Sequence, residues 1–288
     1  MLPSPSTNVA PTAATPSAAP ARPTMLLFAS GKGGVGTSLI AALAAIAAAA
    51  RGERVLLVDA SESGGGLHHL FGLRPATSLW SLTNTRTPVD DALITINDRL
   101  TLIAGGASAG GPMPATDVDR RTALARLNRV YARFHLVIFD GGSRLDSVTA
   151  VTELVDPALL LVTSADRLAL AANYALVKTV NARRPNVIVS VIANRHGDAV
   201  AADACEFLLG ACSHFLGRTI DIAGSVPEDP CLLAAVGAGM AVYDAIEGSP
   251  AAESVRTLVS RFIPSWPADG RDSLSPVSAA LPSSRRWS

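Results

Sequence analysis

Ser30-Gly31-Lys32-Gly33-Gly34-Val35-Gly36-Thr37-Ser38 lies between a short apolar run at 25–29 and a long Ala, Leu and Ile run at 39–50. A strand, a glycine-rich turn and a helix in this order form a phosphate-binding loop. Its glycines allow a tight turn and leave backbone N–H groups open to an anion, and the helix dipole favours negative charge at the same place. We therefore expect residues 31–38 to bind the phosphates of a nucleotide.

Two positions at the end of this loop decide which chemistry it supports. Ser38 lies where a hydroxyl reaches a Mg²⁺ ion on the phosphates. The lysine that usually precedes this hydroxyl is replaced by Thr37, so no ammonium meets the β- and γ-phosphates there. A charge-assisted hydrogen bond contributes about 1.5–3 kcal/mol, and its loss lowers affinity by roughly one to two decades.

The start of the loop carries a family resemblance. Lys-Gly-Gly-Val-Gly-x-Ser, with Lys32 at its front, resembles the deviant Walker A motif of the MinD/ParA family of P-loop ATPases. In that family the leading lysine reaches the nucleotide of the partner subunit in an ATP-bound dimer, which implies a catalytic role in trans for Lys32. The runs 161–167 and 174–178 resemble the FlhG branch of the family, which places flagella. The loss at position 37 resembles the CpaE/TadZ branch, which acts in pilus placement.

Two predicted strands end in carboxylates. Asp59 closes the apolar run that starts at residue 54, and Asp140 closes the run that starts at residue 135, as in a Walker B strand. The carboxyl ends of parallel strands meet at one edge of a sheet, where α/β proteins bind their ligands. We expect Asp59, Asp140 and Ser38 to hold Mg²⁺ there, partly through water.

The segment after Asp59 resembles the family's D-x-D…G-L switch region, in which the second acid orients or activates the attacking water. Ser61 occupies that position, and a serine cannot act as a base at neutral pH without help. The adjacent Glu62 is expected to point elsewhere. This replacement predicts that ATP hydrolysis is weak or absent.

Two later segments resemble the base-binding parts of the family. Asn194-Arg195 ends a predicted strand at the adenine-reading position, where the amide of the asparagine matches the base edge. Residues 226–229 resemble the I-P-x-D turn, which implies that Pro227 and Glu228 line the base pocket. Asn194 could instead simply end its strand.

The composition fits a protein with a buried sheet. The 288 residues are 49% hydrophobic and 17% charged, with a formal net charge of zero. Proteins that bind nucleic acid by neutralising phosphates usually carry a basic excess, so this balance disfavours a nucleic-acid partner. The segment 117–133 nevertheless reads as an amphipathic helix with several arginines, and a basic surface would need five of them together: Arg120, Arg121, Arg126, Arg129 and Arg133.

Composition also divides the chain. Residues 1–24 and 264–288 are rich in Pro, Ser and Ala, and they predict flexible tails around one domain at 25–263. No secretory signal pattern is visible, which predicts a cytoplasmic protein. The apolar face of the helix at 251–263 could contact the inner face of the cell membrane, although packing onto the sheet is the simpler interpretation.

Alternating strand and helix signals predict an α/β fold, a doubly wound and mostly parallel sheet with helices on both faces. The predicted strands lie at 25–29, 54–59, 100–106, 135–140, 159–163, 187–195 and from residue 220, and the predicted helices lie at 38–51, 78–82, 89–94, 117–133, 166–181, 199–216, 231–238 and 251–263. His68 and His69 read as a helix surface rather than a metal site, because adjacent helical positions do not face each other.

The resemblance implies an ATP- and Mg²⁺-binding switch that forms a nucleotide-dependent homodimer. Such a switch positions a cell-surface structure such as flagella through a protein partner in flagellar or pilus assembly. Three alternatives stay open: a non-enzymatic scaffold with a vestigial site, a ParA-like DNA-partitioning ATPase, and a dinucleotide-binding Rossmann protein. The last would use Gly31-x-Gly33-x-x-Gly36 with Asp59 as its acid, but it leaves the Lys-Gly-Gly start, Ser38 and Asp140 unexplained.

Overall fold

The computed structural model describes residues 23–62, 66–106, 113, 116–195 and 198–262. Most of the predicted N-terminal tail, the whole predicted C-terminal tail and most of the loop predicted at 107–116 lie outside these residues. The described strands are β1 Thr24–Ala29, β2 Val55–Asp59, β3 Ile94–Thr95, β4 Leu100–Ile103, β5 Leu136–Gly142, β6 Ala158–Thr163, β7 Val189–Asn194 and β8 Asp221–Val226.

The described α-helices are α1 Thr37–Ala50, α2 Leu67–Leu70, α3 Asp117–Arg126, α4 Leu145–Val155, α5 Arg167–Arg183, α6 Asp198–Leu216, α7 Pro230–Gly237, α8 Val242–Ala245 and α9 Pro250–Phe262. The predicted helix at 117–133 ends at Arg126 and continues as two 3-10 turns. The segment at 89–94 is a 3-10 turn followed by β3. Helix α4 was not predicted from the sequence.

The described residues form one eight-stranded sheet in the order β3-β4-β2-β5-β1-β6-β7-β8. Only the short β3 is antiparallel to its neighbour in this sheet. The chain adds β2, β4 and β5 on one side of β1 and then β6, β7 and β8 on the other, so the loop after β1 lies where the order reverses. The predicted doubly wound, mostly parallel sheet is confirmed.

Two hydrophobic layers enclose the sheet. Along β1, Leu27 and Ala29 belong to the cluster that includes residues of α3, α4, α5 and α6, whereas Leu26 and Phe28 belong to the cluster of α1 and α9. Both faces of each central strand are therefore buried, which is why these strands read as continuous apolar runs. No helix in the described part of the chain is long and apolar enough to cross a membrane.

The arginines of α3 do not form a free basic surface. Arg120 is 8% exposed and forms an ion pair with Glu62. Arg121 pairs with Asp117, 2.6 Å away on its own helix, and with Glu153 of α4. These contacts already neutralise the two arginine side chains within the chain.

Two of the three remaining arginines, Arg126 and Arg133, also form contacts within the domain. Arg126 donates hydrogen bonds to four backbone carbonyls between residues 82 and 87. Arg133 pairs with Asp90 at 2.6 Å, and Arg129 is exposed. The basic surface that the DNA-partitioning alternative would need is therefore not formed by these five arginines, because most of their donors are used inside the domain.

Helix α9 packs its apolar face inside the domain. Val255, Leu258 and Val259 are buried in the cluster that contains most of α1. Arg261 extends this contact by donating a hydrogen bond of 2.7 Å to the carbonyl of Ala223 in β8. The structure therefore shows packing onto the sheet layer, and this apolar face is not available for the predicted membrane contact.

We predict that Leu258→Ala lowers the free energy of unfolding by about 2–4 kcal/mol, because the truncation leaves a cavity in a packed interface. Urea denaturation of the two chains measures the difference. Arg256→Ala is the control on the outer face of the same helix, where the side chain is 51% exposed, and should change stability by less than about 0.5 kcal/mol. Unchanged stability of Leu258→Ala together with weaker binding to anionic vesicles would instead support a membrane-binding face.

Candidate functional site

The loop between β1 and α1 has a backbone that only glycine fits at two positions. Gly36 has a φ of 96° and serves as the N-cap of α1, a left-handed conformation that side chains disfavour. Gly31 packs against α5, where an added Cβ would lie 2.2 Å from the carbonyl carbon of Ala172. The glycines of the predicted motif thus fix both the turn of the loop and its close contact with the neighbouring helix.

A pocket of about 480 Å³ opens beside this loop. Segments far apart in the sequence meet in it, namely the loop and the ends of β7 and β8. The predicted site residues that line it are Lys32, Gly33, Gly34, Gly36, Thr37, Ser38, Asn194, Arg195, Pro227 and Glu228. Gly31 and Val35 are not among its lining residues; Val35 is 3% exposed and packs into the core.

Part of the pocket wall is apolar. It comes from α1 and α7 through Leu39, Ile40, Leu43, Leu232, Leu233 and Val236. Pockets that combine apolar walls with a few polar groups suit flat organic ligands such as a heterocyclic base. This wall could not be predicted from the sequence, because its residues resemble ordinary core positions of two helices.

The turn after β8 connects the pocket wall to α9. Asp229 caps α7 by accepting a hydrogen bond of 2.9 Å from the N–H of Leu232. Its other carboxylate oxygen accepts a hydrogen bond of 2.6 Å from the hydroxyl of Ser249, just before α9. Pro227 and Glu228, predicted to line the base pocket, are thereby held next to a fixed helix start.

Lys32 forms an ion pair within its own chain. Its Nζ lies 3.1 Å from both carboxylate oxygens of Asp166, which also caps α5 by accepting from the N–H of Ala169. The hydrogen bonds from Ser164, from Ala169 and from Lys32 hold the pKa of Asp166 well below its usual range. Asp166 was not predicted as a site residue, because nothing in its local sequence pattern connects it with Lys32, which lies 134 positions earlier.

The two predicted metal-binding carboxylates lie side by side. Asp59 and Asp140 occupy matching positions on the adjacent strands β2 and β5, and both are fully buried. Burial and the neighbouring Asp140 raise the pKa of Asp59 to about 8. Burial also raises the pKa of Asp140, although a hydrogen bond from Ser38 opposes this effect.

This arrangement fits a divalent cation. Both oxygens of Asp59 accept backbone N–H groups, from Ser61 at 3.1 Å and from Leu67 at 2.8 Å. In contrast, Oδ2 of Asp140 is buried and has no hydrogen-bond partner among the described residues. An unpartnered carboxylate oxygen beside a second acid and the Ser38 hydroxyl offers the hard oxygen ligands that Mg²⁺ prefers.

The switch segment lacks an acid at the position facing the pocket. Ser61 lines the pocket there, and a Cβ added to Gly142 would lie 2.7 Å from its hydroxyl. Glu62 points away, as predicted: Arg120 holds its carboxylate, and Ser147 donates a hydrogen bond of 2.9 Å to it. The carboxylate next to Ser61 is therefore committed to a structural network.

The two histidines of α2 differ from the prediction of a shared helix surface. His69 is exposed and lines the pocket, but His68 is only 1% exposed. Burial, followed by the neighbouring His69, lowers the pKa of His68. Within the described ranges no group of three His, Cys, Asp or Glu side chains is placed to hold a metal ion.

The amide of Asn194 contacts the loop. Its Nδ2 donates a hydrogen bond of 2.7 Å to the carbonyl of Val35, and its Oδ1 accepts one of 3.0 Å from the N–H of Arg195. Arg195 itself has a left-handed φ of 68° and lines the pocket. The predicted Asn-Arg pair thus lies at the pocket, with the asparagine amide directed toward the loop backbone.

Residues 26–242 match the family described as the CobQ/CobB/MinD/ParA nucleotide binding domain. Because the match covers about three quarters of the 288 residues, the chain belongs to this family of nucleotide-binding proteins. The resemblance predicted from the loop is therefore confirmed at the level of the family. The special role of Lys32 in the deviant motif stays a prediction.

Two curated relatives extend across most of the domain. The antiactivator FleN of Pseudomonas aeruginosa is 24% identical over 239 residues, which cover 82% of this chain and 85% of FleN. An uncharacterized ATP-binding protein of Methanocaldococcus jannaschii is 24% identical over 244 residues, covering 83% of this chain and 87% of that protein. The match to FleN agrees with the FlhG-like layout predicted from the sequence.

Solved structures share the fold. A ParA family ATPase from Chlorobium tepidum superimposes with a TM-score of 0.66 at 24% identity and covers 82% of this chain and 97% of its own. The septum site-determining protein MinD of Pyrococcus horikoshii, complexed with Mg-ADP, gives a TM-score of 0.64 at 17% identity, covering 83% and 95%. These similarities confirm that this chain has the predicted P-loop protein fold.

We predict that, without Mg²⁺, the contribution of Asp59 to the free energy of unfolding decreases as the pH rises from 5 to 8. A carboxyl with a raised pKa keeps its proton in the folded chain at pH values where the unfolded chain has lost it, from near 3.8 to about 8 for Asp59. Stability is therefore lost as the pH rises through this window. Chemical denaturation at several pH values measures the slope.

Asp59→Asn is the matched variant for this slope, because it removes the titrating group and keeps a side chain of the same size. Its stability should depend less on pH between 5 and 8 than that of the parent chain. Equal slopes for the two chains would contradict the assignment of the raised pKa to Asp59.

Proposed function

We propose that this chain is an ATP- and Mg²⁺-binding switch with weak or absent ATP hydrolysis. The observation that carries the proposal is the juxtaposition of the loop with the buried pair of Asp59 and Asp140, where the Ser38 hydroxyl at the end of the loop lies beside Asp140. The residues proposed to bind nucleotide are Gly31, Lys32, Gly33, Gly34, Val35, Gly36, Thr37 and Ser38 at the phosphates, and Asn194, Arg195, Pro227 and Glu228 at the base end of the pocket.

Mg²⁺ would neutralise phosphate charge when bound between the triphosphate and the acids. The chain itself holds Asp140 and Ser38 close together under the loop. It also buries Asp59 and Asp140 away from water. The weak-hydrolysis part of the proposal follows from Ser61, since a hydroxyl replaces the acid that would orient water. Lys32 is proposed to act in trans within an ATP-dependent homodimer.

The cellular role proposed is spatial positioning of a cell-surface structure such as flagella, through a protein partner at the assembly site. Similarity to the antiactivator FleN supports this role, as does the fold neighbour described as a septum site-determining protein. DNA partitioning by this chain is less well supported, because the arginines of α3 are engaged within the domain. A cytoplasmic location follows from this role.

A second candidate is a scaffold that has kept the fold and lost the enzyme. The replacements at Thr37 and Ser61 affect two separate functions of the site, phosphate binding and water orientation, and both favour this candidate. In this case the contacts with assembly factors would not depend on nucleotide. The experiments below separate the two candidates.

We predict that Thr37→Lys raises the affinity for ATP·Mg²⁺ by about one to two decades, because it restores a charge-assisted hydrogen bond of about 1.5–3 kcal/mol. Thr37 lines the pocket at the start of α1, so a longer side chain there can reach a bound phosphate. Isothermal titration calorimetry measures both chains. Thr37→Met is the control, since it adds length without charge; equal effects of Lys and Met would argue against phosphates at this position.

We also predict that ATP·Mg²⁺ converts the parent chain to a dimer and that Lys32→Ala abolishes this conversion. Lys178 is the only other lysine in the chain and lies exposed on α5, so Lys178→Ala is a matched control that should dimerise normally. Sedimentation velocity with and without ATP·Mg²⁺ provides the measurement. The scaffold candidate predicts instead that all three chains keep one oligomeric state under both conditions.

A further inference from the structure

Two buried asparagines flank the phosphate-binding loop. Asn173 lies on α5 and is completely buried, and Asn194 ends β7 with 7% of its surface exposed. Both side chains make paired hydrogen bonds to backbone groups, and each pair joins the loop to a neighbouring part of the sheet. They come from different elements, so the loop is held from two independent sides.

Asn173 fixes the entry of the loop. Its Oδ1 accepts a hydrogen bond of 2.5 Å from the N–H of Gly31, and the hydroxyl of Ser30 lies 3.4 Å from the same oxygen. Its Nδ2 donates a hydrogen bond of 3.1 Å to the carbonyl of Val162 near the end of β6. The side-chain amide of Asn173 therefore connects Gly31 of the loop to the neighbouring strand β6.

Asn194 fixes the exit of the loop. Its Nδ2 donates to the carbonyl of Val35, and its Oδ1 accepts from the N–H of Arg195. These partners settle the orientation of the amide, because exchanging its oxygen and nitrogen would place two acceptors or two donors against each other. A Cβ added to Gly36 would lie only 2.3 Å from Nδ2, so the amide is tightly packed against the turn that begins α1.

A fixed loop matters more in this chain than in one that has the usual lysine. With Thr37 in the lysine position, phosphate binding depends mainly on backbone N–H groups, and these bind well only when they already point at the anion. A loop that had to be ordered on binding would lose affinity through conformational entropy. The two asparagines remove this cost by holding residues 31 and 35 before any ligand arrives.

We propose that Asn173 and Asn194 are positioning residues that preorganise the loop for phosphate. This inference rests on the proposed nucleotide-binding function. It assigns Asn194 a contact with the loop backbone that the family resemblance did not imply.

Binding of ATP, GTP and inorganic tripolyphosphate, each with Mg²⁺, tests the proposal by calorimetry. Asn194→Ala and Asn173→Ala should each lower the affinity for all three ligands by about three- to tenfold, the loss expected for a neutral hydrogen bond. The ratio of ATP to GTP affinity should stay the same. Asn181→Ala is the matched control, because Asn181 lies on α5 and contacts Arg218 instead of the loop.

Hydrogen exchange of the ligand-free chain provides an independent readout. Amides of residues 31–38 should exchange faster in Asn173→Ala and Asn194→Ala than in the parent chain or in Asn181→Ala. Asn194→Ser, which is small and carries a polar hydroxyl, replaces Asn194→Ala if thermal melting shows that the latter does not fold.

The outcomes separate this proposal from the proposed function. A changed ATP to GTP ratio with unchanged tripolyphosphate affinity would show that Asn194 reads the base and would overturn the inference. Unchanged affinities for all ligands would overturn it too. If the parent chain bound neither nucleotide nor tripolyphosphate, the proposed function would fail. Hydrogen exchange would then still test whether Asn173 and Asn194 hold the loop. Equal exchange rates of residues 31–38 in all chains would overturn the positioning role of the two asparagines.

Discussion

The pairing of β2 with β5 places two carboxylates next to each other in a region without water. Asp59 and Asp140 stand at matching positions of these parallel strands, so their backbones cannot separate without breaking the centre of the sheet. Two buried acids can both be charged at low cost only when a cation lies near them. Without a cation, one of them binds a proton. The rest of the site, including Ser38 and the loop above, is arranged around this requirement.

The same constraint explains which losses the site can tolerate. In the proposed site, Thr37 and Ser61 stand where the family motif would carry a lysine and an acid, whereas Asp59, Asp140 and Ser38 match the motif. Removing one of the two acids would alter the charge balance of the core, but Thr37 and Ser61 are neutral side chains that the fold accommodates in buried positions. The chain has thus kept the residues on which its interior depends.

The central strands, the loop and the acids at the strand ends could be predicted because each has a local pattern. An apolar run that ends in Asp, or glycines at fixed spacing, is visible within about ten residues. Helix α4 was missed because five of its eleven residues are β-branched Val or Thr, a composition that is more typical of strands. The burial of Arg120 was missed because its partner Glu62 lies 58 residues away and only the fold brings them together.

The hydrogen bond between Ser249 and Asp229 has a mechanical consequence. One carboxylate joins the segment beside the pocket to the start of α9, and α9 in turn packs along α1, whose first residues form the end of the loop. These parts therefore form a closed ring of contacts around the pocket. A displacement of α1 or of the turn after β8 would therefore be transmitted to α9, although α9 contributes no residue to the loop.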